Sequence, residues 1–168
     1  MLPDIVEIKK NVYFTGAFDP KIRTFDIIMK TANGSSYNSY VVRGSEGVAV
    51  MDTVKKEFID DFFTRLERVC RYEEIRYVVL HHLEPDHSGA LVELLERAPQ
   101  AQLIISGRAV MMLKGIVKTD IPYEIATTGK KISLGDKTIE FLMTPFLHWP
   151  DTMSSYLHEE KLLFSGDV

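Results

Sequence analysis

Apolar and polar residues alternate through the first third of the chain, and the period changes after it. DIVEIKKNVYFTGA (4–17) alternates on both sides of Lys10-Asn11, the pattern of a β-hairpin. FDIIMKT (25–31) and SSYNSYVVR (35–43) predict two further strands, separated by the turn pair Asn33-Gly34. A turn over Gly44 to Gly47 leads into VAVMDT, a buried strand ending at Asp52. Phe58, Phe62, Leu66 and Val69 then recur at helical spacing with charges between them, which predicts an amphipathic helix over about 55–71.

The second part repeats strand and helix. IRYVVL (75–80) is short, apolar and rich in β-branched residues, the mark of a strand covered on both faces. SGALVELLERAP (88–99) predicts a helix with Leu91, Leu94 and Leu95 inward, stopped by Pro99. AQLIIS is a strand and GRAVMMLKGIV a helix. YEIA, KKISL and KTIEFLMT are strands with a turn at Gly135-Asp136, and SSYLHEE with KLLFSGDV predicts a closing hairpin. The order implies an α/β fold with a layered sheet and antiparallel hairpins at both ends. No repeat or linker divides the chain, so residues 1–168 read as one domain. The last residue, Val168, sits at a strand tip that further polypeptide would normally cover, and a fragment of a longer protein is expected.

Composition narrows the function classes. Net charge is −4, so nothing in the balance points to nucleic acid. The lone Cys70 leaves no internal disulfide and no all-cysteine metal site, and it falls on the apolar side of the predicted helix as a buried thiol. The start, MLPDIVEIKK, is not a signal peptide, and no apolar run reaches membrane-spanning length. A cytoplasmic protein is expected.

The chemistry concentrates after IRYVVL. HHLEPDH (81–87) puts His82, Glu84, Asp86 and His87 where a strand hands over to a helix, a common ligand position in layered α/β folds. Pro85 fixes one φ angle and helps the loop curl its donors into one cavity. His148, in PFLHWPDT, and Asp167, in LLFSGD, also follow strands, so three strand ends each offer a metal-ligand type. His81 should face away from His82 by the strand pleat, and His158 beside Glu159 and Glu160 reads as a surface turn residue. Asp52 is the main candidate to orient an imidazole, while Asp151 reads as a turn cap.

These residues resemble the flavodiiron proteins (A-type flavoproteins). HLEPDH, His148 and Asp167 carry the likeness, and YNSYVV, VMDTV, LHWPDTM and LLFSGD extend it through nearly all of the chain. The resemblance implies a metallo-β-lactamase-like αβ/βα sandwich, of which this chain supplies the N-terminal portion, followed by a flavodoxin-like domain. It implies two non-haem irons: one on His82, Glu84 and His148, the other on Asp86 and His87, with Asp167 bridging. A further histidine beyond the last residue would complete the second iron. The implied activity is reduction of O2 to water, or of NO to N2O, with electrons from FMN and from rubredoxin or another donor. The implied assembly is a head-to-tail homodimer or a dimer of dimers, with Trp149 as a pocket wall. Asp26 stands where many relatives have a histidine near the irons, which changes the hydrogen bonding expected there.

The donor set argues for iron on its own terms. Lactamase-fold hydrolases carry histidine where this chain has Glu84, and zinc accepts such imidazole-rich sites. Glu84, Asp86 and Asp167 are hard oxygen donors that suit iron or manganese better. With a bridging hydroxide they would neutralise two ferrous ions, and buried charge is costly unless paired. Two other functions stay open on the sequence: a stand-alone diiron O2 sensor, and a zinc hydrolase in which metal-bound hydroxide attacks a carbonyl.

Overall fold

The computed structural model describes residues 5–25, 27–117 and 120–167. β1 (Val6–Lys9) and β2 (Val12–Phe14) form the first hairpin, reversing at Asn11 with φ of 60°. β3 (Ala17–Asp19), β4 (Thr24–Phe25), β5 (Met29–Lys30) and β6 (Ser35–Tyr37) follow, with β3 paired to β6 and β4 to β5. β7 (Tyr40–Gly44) and β8 (Gly47–Met51) lead through a 3₁₀ turn to α1 (Ile59–Val69), and then to β9 (Ile75–Val79). The short α2 (Pro85–Ser88) and α3 (Leu91–Arg97) precede β10 (Gln102–Ser106), α4 (Val110–Ile116) and β11 (Tyr123–Ala126). β12 (Lys131–Ser133), β13 (Thr138–Met143), β14 (Met153–Leu157) and β15 (Leu162–Phe164) complete the order.

Two sheets dominate. The larger runs β1-β2-β7-β8-β9-β10-β11, antiparallel as far as β8 and parallel from β8 to β11. The smaller is β12-β13-β14-β15, antiparallel throughout. Successive residues of a strand point to opposite faces, and here they enter opposite cores. Val50, Val78, Leu103 and Ile105 pack on Phe62 and Leu66 of α1, Leu91 and Leu94 of α3 and Leu113 of α4. Met51, Val79 and Ile104 pack on Ile139, Phe141, Leu157 and Phe164 of the smaller sheet. The central strands are therefore apolar on both faces, which is why IRYVVL lacks alternation. The layers are helices, large sheet, small sheet, the α/β sandwich expected.

Three elements differ from expectation. FDIIMKT is not one strand: β4 and β5 turn back on each other, and Ile27 and Ile28 project into solvent at 93% and 83% exposure. Phe25 packs against the helix-side core, but the run beyond it turns back as a hairpin and Ile27 and Ile28 answer to no core. SSYNSYVVR divides at Asn38-Ser39. Ser39 Oγ reaches the Asp52 carbonyl (2.9 Å) and Thr15 Oγ1 (3.0 Å), so β6 and β7 join different sheets. The helix predicted from Ser88 begins at Pro85 and breaks around Gly89-Ala90. A Cβ on Gly89 would stand 2.5 Å from the Lys56 backbone nitrogen, so only glycine lets this turn lie against residues 54–56. Cys70 is buried, and burial pushes its thiol up to about 12. Among the described residues no helix is long and apolar enough to cross a membrane.

Candidate metal centre

Every predicted donor follows a strand at one end of the sandwich. The loop after β9 carries His81 to His87, Asp52 follows β8, His148 lies between β13 and β14, and Asp167 follows β15. Pro85 opens α2, where its fixed φ suits the first helical position and its missing N–H leaves no donor unpaired. Glu84, just before it, is extended, and its carbonyl accepts the His87 and Ser88 N–H groups at 2.9 and 3.0 Å. The His148 loop is tied by the Phe146 N–H to the Trp149 carbonyl (2.9 Å) and holds Phe146 and His148 at φ of 66° and 86°. Left-handed backbone is strained for side chains of this size, and such strain gathers at functional sites.

The six residues form two groups. His82, Glu84 and His148 place donor atoms within 4.8 Å of one another, and so do Asp86, His87 and Asp167. In the first, Glu84 Oε2 is 3.0 Å from His82 Nε2 and 3.2 Å from His148 Nε2. In the second, His87 Nε2 is 3.2 Å from Asp167 Oδ1 and 3.7 Å from Asp86 Oδ2. The groups adjoin, with the His82 and His87 rings 5.4 Å apart. Trp149 stands 5.5 Å from the His82 ring and walls one side. Asn38 borders both cavities beside His87 and Asp167, of about 150 and 310 Å³. Asp26 lies outside the described residues.

The supporting residues reverse one expectation. Asp151 is no mere turn cap: its Oδ1 is 2.9 Å from His82 Nδ1, and its Oδ2 accepts the Leu83 N–H at 2.9 Å. Asp52, expected to orient an imidazole, is bound chiefly to His81, with Oδ2 2.6 Å from Nδ1 and Oδ1 accepting the His81 N–H at 2.8 Å. Its Oδ1 also faces His87 Nδ1 at 3.8 Å. His81 turns away from His82 as the pleat requires, and its Nε2 is 2.7 Å from Ser155 Oγ. Ser155 was not legible in the sequence; a buried serine in the strand MSSYL was its only signal. His158 pairs with Glu140 at 2.7 Å in a surface turn.

The charges fit cations. Burial raises the Asp86 carboxyl, and Glu84 and Asp167 add to the rise. Burial alone would lower His87, but Asp167, Asp52 and Asp86 outweigh it and push it up to about 11. The hydrogen bond from His87, with lesser help from His148 and His82, holds Asp167 below the usual carboxylate range against its burial. Asp86 Oδ1 and His87 Nδ1 are buried with no hydrogen-bond partner among the described residues. Buried polar atoms rarely go unpaired. An unsatisfied carboxylate oxygen amid three carboxylates and three imidazoles suits metal coordination.

The family described as ODP family beta lactamase matches residues 36–168. The type A flavoprotein fprA of Rhodobacter capsulatus is 56% identical over 166 residues, covering 97% of this chain and 38% of the relative. The flavo-diiron protein FprA2 of Clostridium acetobutylicum is 40% identical over 164 residues, covering 96% of this chain and 41% of the relative. The structure of rubredoxin oxygen:oxidoreductase from the anaerobe Desulfovibrio gigas superposes with a TM-score of 0.89 at 32% identity, covering 95% of this chain and 40% of that one. The chain thus spans about two fifths of the length of these relatives.

Proposed function

The chain belongs to the ODP family of β-lactamase-fold domains, and from that membership we propose that it is the diiron part of an O2 or NO reductase. The observation that carries the proposal is the division of six donors into two adjoining groups of three. His82, Glu84 and His148 would hold one iron, and Asp86 and His87 the other. Asp167, at the tip of β15, would bridge them. When bound, two ferrous ions would supply two electrons, which suffices to couple two NO into N2O and water with two protons; O2 to two waters takes four electrons and four protons, so the flavin donor would supply the other two electrons.

The chain's own residues prepare that chemistry. Asp151 accepts from His82 Nδ1, which leaves Nε2 facing the cluster. Glu84 supplies a hard oxygen where an imidazole would favour zinc. Trp149 packs beside the fully buried His82 ring at 5.5 Å. Electrons would enter from FMN in a flavodoxin-like domain, reduced by rubredoxin or a similar carrier. Head-to-tail pairing of two copies would bring one flavin beside the other copy's irons. The names of the similar proteins, a type A flavoprotein, a flavo-diiron protein and a rubredoxin oxygen:oxidoreductase, support this reading.

The test loads the protein with ferrous iron under anaerobic conditions, supplies a reduced flavin donor, and follows O2 or NO loss and N2O gain. Consumption that requires about two irons per chain is expected. Uptake independent of iron, or ester hydrolysis by a zinc-loaded form in its place, sinks the proposal.

A further inference from the structure

His81 lies outside both groups of donors, yet it is buried at the point where the strand ends meet. It is 1% exposed. Nδ1 is 2.6 Å from Asp52 Oδ2 and Nε2 is 2.7 Å from Ser155 Oγ. Its backbone N–H donates to Asp52 Oδ1 (2.8 Å), and its carbonyl accepts the Met153 N–H (2.9 Å). Its ring stacks on Phe164, and Gly166 packs on its Cβ. One side chain therefore joins the β8 tip, the small sheet and the β15 tip that delivers Asp167.

Asp52 needs such a brace. It is a non-glycine residue at φ of 55°, and its Oδ1 is the group that faces His87 Nδ1. Asp151, its counterpart behind His82, is braced by a backbone N–H from Leu83. The Asp52 carboxylate takes one bond from the His81 backbone N–H, as Asp151 does from Leu83, and its second from the His81 ring. We infer that His81 is a positioning residue for the second metal group: it holds Asp52 behind His87 and locks the β15 tip that presents Asp167. The inference rests on the two-metal reading and adds to it a histidine that binds no metal.

Two substitutions separate this role from simple filling of space. The asparagine amide reaches the place of histidine Nδ1, whereas the glutamine amide reaches that of Nε2. His81→Asn keeps a side-chain donor for Asp52 Oδ2, whereas His81→Gln keeps a partner for Ser155 and leaves Asp52 only the backbone N–H. Cobalt(II) titration of the metal-free full chain, read by visible absorption, counts ions and gives each affinity. The wild type should take two ions, and His81→Asn should stay close to it. His81→Gln should weaken the second ion roughly 10- to 100-fold, the range for supporting residues of metal ligands, and leave the first unchanged. If His81→Gln does not fold, Asp52→Asn decides, because its single amide oxygen cannot accept from both the His81 N–H and the His81 ring while His81 itself remains; the second ion alone should weaken. Equal affinities in all variants, or equal loss of both ions, with a wild type that still takes two, overturn the role of His81. A wild type that takes no ion overturns the metal reading, and the inference falls with it.

Discussion

His82 Nδ1 lies 2.9 Å from Asp151 Oδ1, so a carboxylate from another strand connection chooses which ring nitrogen faces Glu84 and His148. Both groups are wholly buried, and the second oxygen of Asp151 is occupied by the Leu83 N–H. One carboxylate thus fixes the ring and the loop that carries it.

Asp151→Asn cannot accept from both donors, because its amide has one oxygen. Iron affinity in the His82 group should fall roughly 10- to 100-fold, with the His87 group unchanged. A buried donor left unpaired costs about 1–3 kcal/mol, so the metal-free protein should also be less stable in urea. Metal titration and urea denaturation check the two effects, and unchanged affinity in the His82 group would contradict the assignment.

Glu84→His replaces a hard oxygen between two imidazoles with a third imidazole. Metal bound from an equal mixture of ferrous iron and zinc should move towards zinc in that group. Metal analysis after mixed loading reads the ratio, and an unmoved ratio removes Glu84 as the selecting residue.

Gly166→Ala puts a Cβ 3.2 Å from the His81 Cβ in a backbone with φ of 63°. Left-handed backbone costs a non-glycine residue roughly 1–2 kcal/mol. The variant should lose about that much stability, and Asp167, its neighbour, should be displaced. Chemical denaturation with a metal count checks both; full stability with both metals bound would show that the tip tolerates movement.

Metal loading should release protons. His87, surrounded by Asp167, Asp52 and Asp86, has its imidazole pushed up to about 11, so in the metal-free protein it carries a proton at neutral pH. A raised folded value contributes stability that is complete below the unfolded histidine value near 6.5 and is lost as pH climbs through about 11. Metal must displace that proton, so loading should weaken as pH falls. Calorimetry in buffers of different ionisation heat counts the protons, and release of none contradicts a protonated His87.

Much of this was legible because the signals are local. The two periods, 2 for strands and 3.6 for helices, mark which residues face a core, and they placed β8, α1, β9 and β10. HLEPDH is short enough that its donors must lie close together. FDIIMKT misled because periodicity counts apolar residues without saying whether a core receives them. Asp151 misled for the opposite reason: its partner is His82, 69 positions away, and nothing local distinguishes a cap from a support.

The sequence by itself determined the layered α/β architecture, the donor types and their places at strand ends, since these follow from residue chemistry and short-range pattern. Only the tertiary structure decided the pairings: His82 with Asp151, His81 between Asp52 and Ser155, and Asp167 against His87. Those depend on how two sheets stack and which strand tips meet, and packing settles that over distances that no local pattern spans.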